Sequence, residues 1–539
     1  MAHDTQSDGL IDEQRSDPAP AQDSDTRKAV PAWILSGVVH VAALGLMALV
    51  VTATTESFDE PPIRTVQLAQ PPVPTTTPTI VEVPPSDLPI EVTIEKEVTN
   101  PVSALDVPVE TFSCGETSDA DVPKGRPEAQ ADTELGREGL AMAIGPGSGA
   151  MGMSGRPNGG GKTRALGLVG GTPGSEKAVG GALRWFKKHQ SPNGQWDVDG
   201  YAANCSDPGA RCEPGSEHTG EEGDIACTAY ALLCYLGAGY DHRMPGSYRT
   251  TVKKGIDWLV SAQKGDGLWG SRNYEPAVAT MAIAEAYAMT NDPALRGPAQ
   301  KGVDVILARQ SKDASGGYAL GWDYTSPNPA RMDASVSGWN VMALKSAAAG
   351  RLNVGSGMAG ARQYLERAWK ACNKGFTAKD PYTDTSTFPY VWNSQTDAVQ
   401  VEPGAEQHDM ASVGALCAVF LGVLGDDPML NSLANHVMKY QTPTTYPCNT
   451  YYLYYNTLAM FQVGGKRWDT WNNVVRDMLV NAQRTDGECL AGSWDFEGTK
   501  FHGHKTGRLL STAYVCLSLE VYYRYDQVSG KKPTKPSAL

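Results

Sequence analysis

The sequence predicts an all-α fold: an α/α toroid of about six helical hairpins, preceded by one transmembrane helix and a long Pro/Gly-rich disordered linker. Three observations predict it. A single apolar run of bilayer-spanning length stands near the N-terminus, Pro and Gly crowd the stretch that follows, and from Ser175 onward two kinds of helical pattern alternate around a recurring Gln, Gly and Trp turn.

The 539 residues exceed what one ordinary core absorbs, so several regions are expected. Charged residues make up 20% with a formal net charge of -14, which argues against a nucleic-acid binder, because that function needs a basic face. The ten cysteines include no Cys-x-x-Cys pair, which removes the usual zinc-ribbon and thioredoxin readings.

Residues 1–30 are polar and read as a disordered cytoplasmic tail. Residues 31–53, "PAWILSGVVHVAALGLMALVVTA", carry no formal charge and are long enough to cross a bilayer. Arg27 and Lys28 precede the run, whereas Glu56, Asp59 and Glu60 follow it, so the N-terminus is expected inside and the bulk of the chain outside. The expected location is a bacterial inner membrane with the toroid in the periplasm. Ser36 and His40, four residues apart, share one helix face. An ionisable residue in a span points to a proton path or a protein partner, or to a bond with a neighbouring helix. Residues 54–174 form the linker. Its Pro/Thr/Val part, about 50 residues at ~3.1 Å each, reaches ~150 Å when extended. "GRPNGGGKT" at 155–163 looks like a phosphate loop but has the wrong glycine spacing and no strand before it.

The toroid is expected over 175–528, with 529–539 a disordered tail. One kind of helix is amphipathic and basic outside, as in "EKAVGGALRWFKKHQ" and "TTVKKGIDWLVSAQ". The other is apolar nearly all round and Ala-rich, as in "PAVATMAIAEAYAM" and "ASVSGWNVMALKSAAAG", and must be buried on most sides. Gln190, Gln263, Gln310 and Gln483 end outer helices, and each precedes a Gly-rich turn and a Trp: Trp196, Trp269, Trp322 and Trp494. A repeat of outer helix, turn and inner helix closes into a double ring. Glycine allows the reversal, and Gln and Trp tie each outer helix to the next unit. Gly237, Gly239, Gly350 and Gly422 stand where C-terminal caps are expected. Residues 376–406 lack the punctuation and form a divergent hairpin or insertion.

Two resemblances follow from these residues. Ser36-x-x-x-His40 in a single N-terminal span, with Pro-rich chain after it, is similar to TonB-type energy transducers. In those, the histidine face meets an ExbB–ExbD-type proton-driven motor, and nothing like their C-terminal αβ domain follows here. The Gln-Trp repeats over roughly 175–528 resemble the squalene–hopene cyclase and protein prenyltransferase β-subunit superfamily. They resemble in particular bacterial membrane-anchored proteins carrying prenyltransferase and squalene oxidase repeats. The resemblance implies the toroid but not its chemistry. The best match to the cyclase Asp-x-Asp-Asp acid is Asp197-Val198-Asp199-Gly200, which lacks the last Asp and reads as a solvated turn. No Asp-x-Cys exists to hold the prenyltransferase zinc.

What remains is a set of polar residues at the starts of the inner helices, which a toroid gathers at one mouth of a central cavity. Asp333, His408 and Asp409 are the candidates for acid/base or metal chemistry, with helix capping as the plain alternative. His218, Glu275, Tyr451, Tyr452 and His504 are candidate ligand-binding residues. No cofactor is readable and no metal is specified. Cys205 with Cys212, and Cys448 with Cys489, are candidate disulfides in an oxidising compartment. The expected function is an inner-membrane-anchored periplasmic toroid that binds a ligand or scaffolds. The alternatives are an enzyme on a terpenoid, lipid or glycan, and a TonB-like transducer coupled to a motor.

Overall fold

The structure, a computed structural model, describes residues 166–167, 169–206, 211–214, 220–313, 319–401, 410–423, 425–496 and 502–525, the backbone alone for 502–506. The expected tail, span and C-terminal segment, and nearly all of the linker, lie outside these residues, Ser36 and His40 among them. Among the described residues no helix is long and apolar enough to cross a membrane.

Among the described residues twelve main helices alternate between two rings. The outer ones are α1 (Pro173–His189), α3 (Arg249–Ser261), α5 (Pro293–Ala308), α7 (Gly357–Cys372), α9 (Pro428–Tyr440) and α11 (Gly465–Ala482). The inner ones are α2 (Glu221–Gly237), α4 (Tyr274–Thr290), α6 (Ala334–Ala349), α8 (Ala411–Phe420), α10 (Thr450–Val463) and α12 (His502–Leu519), followed by a short α13 (Val521–Arg524). Outer helices bury one stripe. In α1, Val179, Ala182, Leu183 and Phe186 face inward while Lys187 and Lys188 stay in solvent. Inner helices bury almost every side chain; α6 is buried from Ala334 to Ala348. Each inner helix packs on the next, α12 packs back onto α2, and α11 packs on α1, so both layers close. This is the six-hairpin α/α toroid that the periodicity predicts. Caps fix the helix starts: Thr172 and Ser175 form a capping box on α1, and Asp292 and Asp427 cap α5 and α9 just before a proline.

The repeated turn has one construction. The side-chain amide of each Gln donates twice, once into its own turn and once to a carbonyl of the next outer helix. Gln190 reaches Gly194 and Thr251, Gln263 reaches Gly267 and Pro298, Gln310 reaches Leu320 and Gly357, and Gln483 reaches Gly492 and Ala178. Each Trp is fully buried, and its indole N–H donates to the carbonyl four residues before the Gln: Phe186, Leu259, Ile306 and Leu479, at 2.7–2.8 Å. Gly194 (φ 104°) and Gly267 (φ 90°) turn the chain where a Cβ would strike the backbone of the next outer helix at Lys254 and Lys301. Of the four glycines expected as caps, Gly239 and Gly422 have positive φ. Gly237 instead is the last residue of α2, and a Cβ there would collide with the Glu520 carboxylate and the Arg524 guanidinium.

The divergent stretch forms a small antiparallel sheet. Strand β2 (Val391–Trp392) pairs with β1 (Met332–Asp333) on one side and β3 (Val399–Gln400) on the other. In place of Gln, Asn373 ends α7, and its amide donates to Trp369 and Thr387.

Aromatic side chains fill the axis where the central cavity is expected. Tyr230 of α2 touches Trp339 of α6 at 5.2 Å between ring centroids, and Trp339 stacks on Tyr454 of α10 at 5.6 Å and 9°. These helices are not ring neighbours, so their side chains meet only across the centre. Tyr514 and Tyr455 complete the cluster, with the Tyr514 and Tyr230 hydroxyls 3.1 Å apart. A void between α6, α7 and α8, bordered by Ser337, Tyr364 and Val413, holds about 10 Å³, room for one water.

Candidate functional site

At the inner-helix N-termini the chain brings polar groups together through short loops. Asp333 stands in extended backbone as the N-cap of α6; its Oδ1 accepts from the Ser335 and Val336 amides at 2.9 and 3.2 Å and from Ser335 Oγ at 2.5 Å. The capping reading therefore holds for Asp333. The residue does more than cap, because its other oxygen accepts from Arg331 at 3.2 Å although Asp333 itself is fully buried. Burial pushes its carboxyl above the usual range, opposed by Ser335 and Arg331. Ser335 Oγ lies 2.5 Å from the Tyr274 hydroxyl, and the Ser335 carbonyl accepts from Tyr451 at 3.4 Å. Asp333, Ser335 and Tyr274 thus form a chain of three hydrogen-bonding groups running from a buried carboxylate to a half-buried phenol. Beside it Tyr324 and Tyr390 share a hydrogen bond of 2.6 Å, and Arg331, which also pairs with Asp323, lies 4.9 Å over the Tyr324 ring. The β1–β2 ladder, with Asp333 opposite Val391, holds Tyr390 in place.

The sequence candidates divide as follows. Asp333 and Tyr451 meet through Ser335. Tyr452 packs edge-on to Tyr451 at 5.5 Å, at the border of the same cluster. Glu275 belongs to a separate group: it is buried, it accepts from Arg272 at 2.7 Å, and Arg272 also faces Glu222 at 3.8 Å. Burial raises the Glu275 carboxyl against the opposing pull of Arg272. His218, His408 and Asp409 lie outside the described residues, as does the side chain of His504; in the chain, Asp409 stands two residues before α8. The Asp197–Asp199 pair lies in a turn in which Asp197 Oδ1 accepts from the Gly200 amide at 2.6 Å and Asp199 is exposed. Asp224 accepts from Val198 and is pushed up to about 6 by burial, with Asp197 and Asp199 adding to the rise.

Tyr274, Tyr324, Tyr390 and Arg331 were not singled out from sequence. Tyr274 carries a signal, standing at the start of an inner helix as Tyr451 does. Tyr390 does not, because only the strand pairing brings it here. No disulfide joins Cys205 to Cys212 or Cys448 to Cys489 in the structure. Cys205 and Cys212 each face the ring of His189 rather than bonding each other, and Cys489 lies beside Cys205.

No protein family matches the chain, and no curated protein matches it. Solved structures with some similarity include the GH76A alpha-1,6-mannanase from Salegentibacter sp. HEL1_6, at 11% identity over 65% of this chain and 98% of that one, with a TM-score of 0.44. Another is the unsaturated glucuronyl hydrolase from Bacillus sp. GL1, at 12% identity over 65% and 99% of the two chains, with a TM-score of 0.45. A third is the type II terpene cyclase MstE from Scytonema, at 11% identity over 65% and 98%, with a TM-score of 0.38. Likenesses of this order identify no family; what the chain itself shows is the six-hairpin α/α toroid.

Proposed function

We propose that the chain is a binding module whose ligand is a hydroxyl-rich glycan, held at the inner-helix mouth and presented from a membrane anchor. The observation that carries this reading is the hydrogen-bonded chain from Asp333 through Ser335 to Tyr274, beside the Tyr324–Tyr390 pair, above an axis already filled by aromatic rings. Half-buried tyrosines offer a flat apolar face and a hydroxyl together, which suits the alternating C–H and O–H surface of a sugar. Asp333 acts here as a positioning residue that orients Ser335. Tyr274, Tyr324 and Arg331 are the contact groups.

Calorimetric titration of the full chain with hexose and N-acetylhexosamine oligosaccharides tests this. Tyr274→Phe keeps the ring, loses the hydroxyl and is expected to weaken binding about tenfold, the value of one hydrogen bond. Asp333→Asn keeps the Oδ1 cap but turns an amide toward Arg331, so it is expected to weaken binding and to lower the Tm modestly. Unchanged affinity in both variants refutes the reading. Hydrolysis of the bound oligosaccharide in the same cell shifts it to an enzyme. The anchor is proposed from the apolar run of residues 31–53 and its flanking charges, and the motor coupling from Ser36 and His40 within it. Co-purification of ExbB–ExbD-type subunits, lost on His40→Ala, is the expected result, and its absence from the wild type removes the coupling.

A further inference from the structure

The first and last hairpins meet at a seam where the end of α1, the loop before α2 and the turn between α11 and α12 converge. Three cysteines and a histidine from these segments lie together. His189 closes α1 and stacks on Trp185 at 4.3 Å between ring centroids and 30°. Its Nδ1 is 2.8 Å from the Trp185 carbonyl. A carbonyl only accepts, so Nδ1 carries the proton and Nε2 presents a lone pair. That lone pair faces Cys205 Sγ and Cys212 Sγ, each at 3.5 Å. The Sγ of Cys489, 300 residues further along the chain than His189, lies within 4.8 Å of the donor atoms of His189 and Cys205. Cys205 is half-buried; the other three residues are buried.

We infer that His189, Cys205 and Cys489 form a zinc site that clamps the seam of the ring, with Cys212, whose Sγ lies 3.5 Å from His189 Nε2 and now donates to the Cys489 carbonyl at 3.3 Å, turning in as the fourth ligand when the metal binds. In a tetrahedron with zinc–nitrogen bonds of ~2.0–2.1 Å and zinc–sulfur bonds of ~2.3 Å, nitrogen and sulfur lie ~3.5 Å apart, as both measured pairs do. A ligating histidine whose other ring nitrogen donates to a backbone carbonyl is the usual support for such a site. The surroundings hold the donors in place. Trp185 Nε1 donates to the Cys489 carbonyl at 2.9 Å, the Cys212 amide donates to Cys205 Sγ at 3.3 Å, and Arg508 of α12 grips Glu213 next to Cys212 at 2.8 Å. With Cys212 as the fourth donor no position is left open, so the inferred role is structural. A disulfide between any two of the sulfurs leaves the third thiol and the imidazole without a shared purpose; a metal uses all four.

The test uses the full chain, purified with reductant, reconstituted with zinc(II) and freed of unbound metal before elemental analysis, with a parallel cobalt(II) titration. About one zinc per chain is expected, together with the sulfur-to-cobalt charge-transfer and intense ligand-field bands of a tetrahedral thiolate site. Cys205→Ser and Cys489→Ser are expected to lose both signals. Cys372→Ser, on α7 and bonded to Thr387 instead, keeps both. His189→Ala risks the Trp185 stack, so the two serine variants carry the weight. Wild type that retains no zinc overturns the inference, and so does metal retained equally in Cys205→Ser and Cys489→Ser, or a weak octahedral cobalt spectrum.

Discussion

Gln310 is the sharpest probe of the repeat. Its side chain is 2% exposed, and its amide nitrogen donates to Leu320 O at 2.7 Å and Gly357 O at 2.9 Å. Gln310→Ala removes both bonds and leaves two buried carbonyls without them, at about 1–3 kcal/mol each. The expected loss is therefore about 2–6 kcal/mol. Gln310→Met keeps the volume and removes only the donors, so it is expected within about 1 kcal/mol of the alanine variant, which separates hydrogen bonding from packing. Gln263 makes the same two contacts at 3.0 Å each, but it is only half-buried, so water replaces the lost donor there. Gln263→Ala is expected to cost about 1 kcal/mol. Urea unfolding gives the comparison: the midpoint falls with an unchanged slope if only stability changes. Gln310→Met within about 0.5 kcal/mol of wild type, or a Gln263→Ala loss as large as that of Gln310→Ala, refutes the view that the glutamine bonds hold the hairpins together.

Two further outcomes follow from the buried charges. The Asp224 carboxyl titrates near 6 in the folded chain, above its ordinary value of 3.8, so the folded state binds the extra proton between those pH values; stability from this group is full below about 4 and is lost as pH rises through about 6. Asp224→Asn, which still accepts from Val198, is expected to flatten that segment of the urea midpoint against pH, and an unchanged slope contradicts the assignment. At the opposite face, Arg524 and Glu285 are fully buried and joined by two bonds of 2.9 Å. Glu285→Ala leaves a guanidinium in the core and is expected to cost about 3–5 kcal/mol, the lower end if Glu520, 3.6 Å from Arg524, compensates. The double variant Glu285→Met with Arg524→Met is expected to be more stable than Glu285→Ala, and the reverse order by urea unfolding excludes this account.

The ring was legible because its signals are local. Periodicity marks which helices are buried all round, and the Gln and Trp turns mark where each unit ends. Features set by non-local approach were not. Glu285 and Lys345 sit in Ala-rich helices where sequence offers no sign of what they meet. Lys345 is buried over Phe420, and desolvation pulls its amine down to about 7. The filling of the axis was hidden for the same reason: the sequence shows "YYLYY" as aromatic but not that Tyr454 reaches across to Trp339. Closeness in sequence pairs Cys205 with Cys212 and the turns of adjacent hairpins pair Cys448 with Cys489, and neither signal points to His189. His189 hid in "KKHQ", which reads as the basic end of a surface helix. Of the mouth residues, Asp333 and Tyr451 were found because they start inner helices, whereas Tyr390 and Arg331 arrive through a strand pairing that two-residue strands do not announce.

Closing a ring costs more at one junction than at the others. The contacts that join successive hairpins span short loops: Gln190 to Thr251 is 61 residues, Gln263 to Pro298 is 35 and Gln310 to Gly357 is 47. The equivalent contact at the seam, Gln483 to Ala178, spans 305. With loop-closure entropy growing as the logarithm of length, that contact costs about 1.7 kcal/mol more than the 47-residue one if made first. The order that avoids this cost is hairpin upon hairpin, with the seam closing last against a curvature already set. An unclosed ring exposes the apolar faces of α1, α2 and α12, so the seam needs bonds that resist opening as well as bonds that form. The additional groups gather there. Arg524 donates to Leu233 of α2 at 2.6 Å, Cys234 of α2 lies with Cys516 and Glu520 from the end of the chain, and the His189, Cys205, Cys212 and Cys489 cluster joins the first hairpin to the last turn. A metal bound only by the closed form stabilises that form by its own binding free energy, and it acts at the junction where the repeat alone is weakest.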